Sequence, residues 1–227
     1  MCAFVETEYK RLMEREAFYR LMARIRAAFP DAPVKDAVQV NYYYDTADGL
    51  LQAQDITLRI RQTQEGLWLQ SKAHFSGPEA YRRSQERRCV IDSVPDSLKL
   101  KGFPGRHFFR QGSLVTRRTR FALQDGLRLD FDVNFYEGIT DFELEAEFRP
   151  DALEQSRWLL ESFGLSELPS GGGKATRFFA ARARERQRAA EMDLGFAGRP
   201  AADEDIGPPV RKAGRMPEKE EDRNNAG

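Results

Sequence analysis

Glu6, Glu8 and Lys10 alternate with Val5, Thr7 and Tyr9 near the start of this chain. In an extended strand alternate side chains share a face, so two carboxylates and an ammonium stand in one row. The same spacing recurs. Segment 56–61 opposes Thr57, Arg59 and Arg61 to Ile56, Leu58 and Ile60, and segment 142–148 opposes Glu143, Glu145 and Glu147 to Phe142, Leu144, Ala146 and Phe148. Segment 127–135 puts Arg128, Asp130, Asp132 and Asn134 on one face and five apolar residues on the other. Arg118 with Arg120, and Trp68 and Gln70 with Lys72, extend the pattern. Clustered carboxylates without a nearby histidine or thiolate are hard ligands, suited to Mg2+ or Mn2+. Arginine forks grip phosphate oxygens in pairs and lysine adds a compact positive charge. The matching chemistry is attack on a phosphoryl group, with a carboxylate-held metal neutralising charge and a second metal or a carboxylate activating water.

Other chemistries find less support. His74 and His107 are the only histidines, which weakens serine or cysteine nucleophile readings, and no Gly-x-x-x-x-Gly-Lys loop or Gly-x-Gly-x-x-Gly turn occurs. Lysine plus arginine and aspartate plus glutamate both number 36 among 227 residues, so no global field draws nucleic acid or an anionic membrane. Any polyanion site must come from local clustering. Cys2 and Cys89 are too few for a disulfide scaffold, no apolar run is long enough to span a bilayer, and Met1 leads into charged sequence. We expect a cytoplasmic protein with a small-molecule substrate, no nucleic acid or membrane partner, and a homodimer as one option.

The elements that must position these rows follow from periodicity. Eight strands are expected at 3–10, 38–45, 56–63, 67–74, 81–91, 113–123, 127–135 and 141–148. Short links at Gly66, Asp125-Gly126 and Gly138 suit tight antiparallel reversals. Residues 11–29 carry apolar side chains at helical spacing and stop at Pro30; a second helix starts at Asp151 and ends at Gly164. The stretch 95–112 reads as a connector, and a last helix after Gly171–Gly173 ends near Met192. Residues 1–192 would form one domain and 193–227 a disordered charged tail.

Taken alone, each charged row could be the wet face of an ordinary antiparallel sheet. Three stacked glutamates repel one another, as do paired arginines, and facing the two kinds of row across a closed barrel relieves both. The fold class expected is α+β: an eight-stranded antiparallel β-barrel with a charged lumen, flanked by helices. A lumen of that size holds side chains or one small ligand.

At this point the chain resembles the CYTH domain family of triphosphate tunnel metalloenzymes. The resemblance rests on Glu6-Thr7-Glu8-Tyr9-Lys10, Tyr43-Tyr44-Asp45-Thr46, Leu58-Arg59-Ile60-Arg61, Leu69-Gln70-Ser71-Lys72, the Arg82 to Glu86 stretch, Arg118, Asp132 and Asp141-Phe142-Glu143-Leu144-Glu145. It implies metal binding by Glu6, Glu8, Glu86, Asp132, Glu143 and Glu145, and triphosphate binding by Lys10, Arg59, Arg61, Lys72, Arg118 and Lys174. Glu6, Glu8 and Lys10 would form the catalytic strand. Asp130, Arg120 and Glu147 rank second, with structural pairing as the alternative for the acids, and Tyr42 to Tyr44 read as packing residues. The activity implied is hydrolysis of a triphosphate, first of all inorganic triphosphate. Thiamine or nucleoside triphosphate hydrolysis, a class IV-type adenylyl cyclase, and a non-catalytic polyphosphate or nucleotide binder are the alternatives.

Overall fold

The structure, a computed structural model, describes residues 2–75, 82–123, 126–148, 153–165 and 172–197. Among them run β1 (Cys2–Met13), α1 (Arg15–Ala28), β2 (Val34–Asp45), α2 (Leu50–Ala53), β3 (Ile56–Thr63) and β4 (Gly66–Phe75). There follow β5 (Arg82–Ile91), β6 (Ser97–Leu98), β7 (Phe108–Ala122), β8 (Arg128–Tyr136), β9 (Ile139–Phe148), α3 (Leu153–Ser162) and α4 (Lys174–Ala197). The chain divides into units 1–187 and 188–227, so the break falls inside α4.

Neighbouring strands are antiparallel in the order β2-β3-β4-β5-β1-β9-β8-β7, with β6 on the outer edge of β7. β7 also pairs with β2 from Val34↔Phe121 to Asp45↔Phe109, which joins the two ends of the order. Eight strands therefore close into a ring, as the alternating rows require, and β6 stands outside it. Closure leaves the barrel without a free edge. The Glu137-Gly138 link between β8 and β9 has φ of 44° and 72°, the two positive values a two-residue hairpin turn needs.

The apolar faces point outward. Phe18, Leu21 and Ile25 of α1 pack with Leu160 of α3 on Phe121, Leu129, Phe131, Leu144 and Ala146, all buried. The largest hydrophobic cluster thus lies between these helices and the outside of the barrel, and most of the lumen is left to polar groups. α3 ends on Gly164 (φ 75°), where Leu165 N–H reaches back to the Leu160 carbonyl at 2.8 Å. Its expected cap, Asp151, lies outside the described residues.

Three expectations need correction. Leu12 and Met13 belong to β1 and not to a helix, because their pairing with Glu143 and Phe142 of β9 extends the ladder to Met13. The connector expected at 95–112 contains β6 and the first part of β7. There the register slips between Tyr43 and Tyr44, opposite Gly112 and Arg110, so Gln111 is an extra residue that breaks the alternation. The last helix continues to Ala197, so the tail expected from 193 is helical over its first residues and otherwise lies outside the described ones.

Candidate active site in the barrel lumen

Asp130 and Asp132 on β8, Glu143, Glu145 and Glu147 on β9, and Glu8 on β1 form an acidic wall. Cross-strand register sets Asp132 opposite Glu143 and Asp130 opposite Glu145. Asp130, Asp132 and Glu143 are fully buried, and Glu8 and Glu145 nearly so. Arg59 and Arg61 on β3, Lys72 on β4 and Arg118 on β7 face them, and Lys174 enters from the first turn of α4. All line a common cleft with Lys10, Glu86 and Thr57, together with Gly173 to Thr176.

The two walls interlock. Lys10 Nζ lies 2.7 Å from Glu145 Oε1 and 3.0 Å from Glu8 Oε2, while Lys72 Nζ reaches Glu8 Oε1 at 2.9 Å. Burial pushes the Glu8 carboxyl up, but Lys10 and Lys72 outweigh it and bring it down to about 2. Arg118 donates to both Asp132 oxygens at 2.7 and 2.6 Å, to Glu145 at 2.5 Å, and also to Asp130. Burial disfavours its charge, yet Asp132, Glu145 and Asp130 hold its pKa above the usual arginine value. Glu145 and Asp132, which burial alone would raise, are held below theirs by Lys10, Lys174 and Arg118.

Arg61 differs. Its Nε donates to the neutral Asn41 Oδ1 at 3.0 Å, and among the described residues no carboxylate lies within ion-pair distance. Burial, then the adjacent Arg59 and Arg118 charges, push it down to about 9. Around it, Asn41 Nδ2 and Tyr43 Oη are buried with no hydrogen-bond partner among the described residues. A buried cation and orphaned donors mark a place prepared for an anion.

Asp132, Glu143 and Glu145 each offer an oxygen within 4.8 Å of the others, and Asp130, Glu145 and Glu147 form a second such group. Three converging carboxylates suit a hard divalent cation by ligand type. Lys174 Nζ sits in the first group, 2.8 Å from Asp132, 2.8 Å from Glu145 and in contact with Glu143. Its ammonium supplies the positive charge among these three carboxylates. Glu86 stands apart from that group, beside Lys72 (3.4 Å) and Arg59 (3.7 Å). Glu6 lies opposite Ser84 on β1, and its side chain lies outside the described residues. Of the second-ranked residues, Asp130 takes a two-point contact from Arg120 at 2.7 Å, and Glu147 pairs with Arg128.

Sequence reasoning missed Arg177. It bridges Asp141 (2.9 Å) and Glu143 (3.1 Å) and donates to the Gly172 carbonyl at 2.5 Å. The available signal was its place three residues after Lys174, on the same helical face. Asp141 also accepts from Asn134 and Tyr136, and just beyond, Phe178 and Ala181 pack with Tyr43, Leu114 and Tyr136 across this end of the lumen. Asp45 caps α2, accepting from Thr46, Leu51 and Gln52 backbone N–H groups, so its conspicuous place after three tyrosines serves folding.

A closed eight-stranded barrel with an acidic wall facing a basic one is the tunnel architecture, and the CYTH domain matches residues 5–176. The chain belongs to the CYTH domain family. Two solved structures share the fold. One, from Bacillus halodurans and provisionally assigned as an adenylate cyclase, is 24% identical with a TM-score of 0.60, covering 79% of this chain and 100% of that one. The other, from Hippeastrum, was also provisionally assigned as an adenylyl cyclase and is described as having a dominant triphosphatase activity. It is 24% identical with a TM-score of 0.62, covering 77% of this chain and 95% of that one. No curated protein matches the chain.

Proposed function

We propose that this protein is a metal-dependent triphosphatase that cleaves a phosphoric anhydride bond of a triphosphate in the barrel lumen. The observation that carries the reading is Arg61, a cation set between Arg59 and Arg118 with no carboxylate partner among the described residues. Leaving it so is costly unless the ligand supplies the negative charge. With Arg59, Lys72 and Arg118 it forms a basic wall that suits a chain of phosphates, and Lys10 places one more cation at the seam with the acids.

Asp132, Glu143 and Glu145 would hold Mg2+ or Mn2+, with Glu8, Glu6 and Glu86 as further acidic neighbours. The ion would supply charge neutralisation at the phosphoryl group and acidify bound water. The side chains of this chain do the remaining work. Arg59 and Arg61 grip the phosphate oxygens, and Lys10 and Lys72 keep Glu8 ionised and oriented. Lys174, now held by Asp132, Glu143 and Glu145, would be free to turn to the phosphates if those carboxylates held an ion instead. We assign catalysis to Glu6, Glu8 and Lys10 and keep residues 193–227 outside the catalytic domain of a cytoplasmic protein.

Inorganic triphosphate is the smallest substrate that fills such a row. Incubation with inorganic triphosphate, thiamine triphosphate and ATP, each with Mg2+ or Mn2+, tests the reading by product. Phosphate release supports it; pyrophosphate with a cyclic nucleotide makes the protein a cyclase, and no turnover leaves a binding module.

A further inference from the structure

At the end of the lumen away from Phe178 the cleft opens into a recess of about 420 Å3. Arg61 and Arg118 belong to the walls of both, so a ligand held by these arginines can extend from one space into the other. The volume falls within the range of small-molecule sites.

The recess has a directional polar group. Gln39, 7% exposed, lines it, and its buried Nε2 has no hydrogen-bond partner among the described residues. A stranded amide donor asks for an acceptor on a ligand. The recess also has an apolar wall. Trp68, directly across the ladder from Arg61, contributes its ring, with the Arg88 guanidinium 5.2 Å from the ring centroid. An indole beside a guanidinium suits a flat ring, which stacks on either. Finally, Lys35, Arg61, Arg88, Arg118 and Arg120 line it against Glu65, the one acid among its described lining residues. That balance disfavours a positively charged ring.

We propose that the recess is a specificity subsite for a neutral planar heterocycle carrying hydrogen-bond acceptors, with Gln39 and Trp68 selecting a nucleoside triphosphate over inorganic or thiamine triphosphate. The subsite rests on the triphosphate reading, because the phosphates are what bring the ring to the mouth. Gln39 and Trp68 touch the base and take no part in the bond cleavage.

The test is steady-state hydrolysis of ATP, inorganic triphosphate, tetrapolyphosphate and thiamine triphosphate by the full chain with Mg2+. We expect the lowest KM for ATP. Trp68→Ala raises that KM about tenfold and Gln39→Leu about fivefold, with kcat and the KM for inorganic triphosphate held within about twofold. Trp68→Phe keeps a stacking ring and restores most of the affinity for ATP. Equal losses on ATP and inorganic triphosphate, or a lower KM for inorganic triphosphate, tetrapolyphosphate or thiamine triphosphate than for ATP, overturn the proposal. A binding arm separates this failure from that of the enzyme reading. Trp68 and Trp158 are the two tryptophans, so Trp158→Phe leaves Trp68 fluorescence as the reporter. Quenching by ATP and not by inorganic triphosphate supports the subsite even without turnover; equal responses, or none to ATP, reject it.

Discussion

Lys174 Nζ donates to Glu145 Oε1 at 2.8 Å, tying the first turn of the last helix to the acidic wall laid down 29 residues earlier. The same ammonium contacts Asp132 and Glu143, so one side chain neutralises a group whose oxygens would otherwise repel one another. Burial disfavours the ammonium, but Asp132, Glu143 and Glu145 together hold its pKa above the usual lysine value. It is a built-in cation in a place chemically suited to a metal.

Removing it exposes that equivalence. Lys174→Met should cost about 3 kcal/mol of stability without divalent ions, the loss typical of stripping one partner from buried charges. Added Mg2+ should then raise the melting temperature of the variant more than that of the wild type, because the ion replaces the missing charge. Equal increments in a thermal denaturation series would show that metal and ammonium do not compete for the group.

Arg61 should behave oppositely. Its charge is opposed by burial and by Arg59 and Arg118, with only Asn41 as a partner among the described residues. Arg61→Gln should therefore leave the melting temperature unchanged or higher, while KM for the triphosphate rises about tenfold or more through loss of a charge-assisted contact. A variant that unfolds early with KM unchanged would assign Arg61 to the fold instead.

How much of this was legible in the sequence depends on range. Period-two alternation is local, so Arg59 with Arg61, Asp130 with Asp132 and the Glu143 to Glu147 row could be placed on one face each, and the facing charges pointed to closure. Leu12 and Met13 suit a helix as well as a strand, and only pairing with β9 decides between them. The extra residue at Gln111 interrupts alternation, which hid the start of β7. Arg177 meets Asp141 across 36 residues, a contact that no local pattern encodes. The recess around Gln39 and Trp68 draws on β2, β3, β4, β5 and β7 and exists only once they close.

The acid limb of the stability profile should follow the lumen carboxylates. Glu8 titrates near 4.5 in the unfolded chain and near 2 when folded. A depressed folded pKa means the unfolded state binds more protons between those values. Its contribution, on the order of 3 kcal/mol, is present above pH 4.5 and lost as pH falls toward 2. Denaturant midpoints for the wild type should fall across that window, and Glu8→Gln should flatten the slope there. An identical slope in the variant would move the titrating group elsewhere.

Gly112 tests how tightly α4 closes its end of the barrel. Its φ is 147°, and a Cβ added there would stand 2.8 Å from the Phe178 ring Cζ. Phe178 is fully buried, with its ring 4.9 Å from that of Tyr43, so it cannot retreat without opening the packing of this mouth. Gly112→Ala thus combines backbone strain with a clash and should cost about 2 kcal/mol. Gly102→Ala, where nothing among the described residues lies within 4 Å, should be close to neutral under the same denaturation conditions. Phe178→Leu shortens the opposing side chain, so in the double variant part of the Gly112→Ala loss should be recovered, giving a non-additive cycle. Strict additivity would mean that the strain at Gly112 is confined to the bulge and that α4 does not press on it.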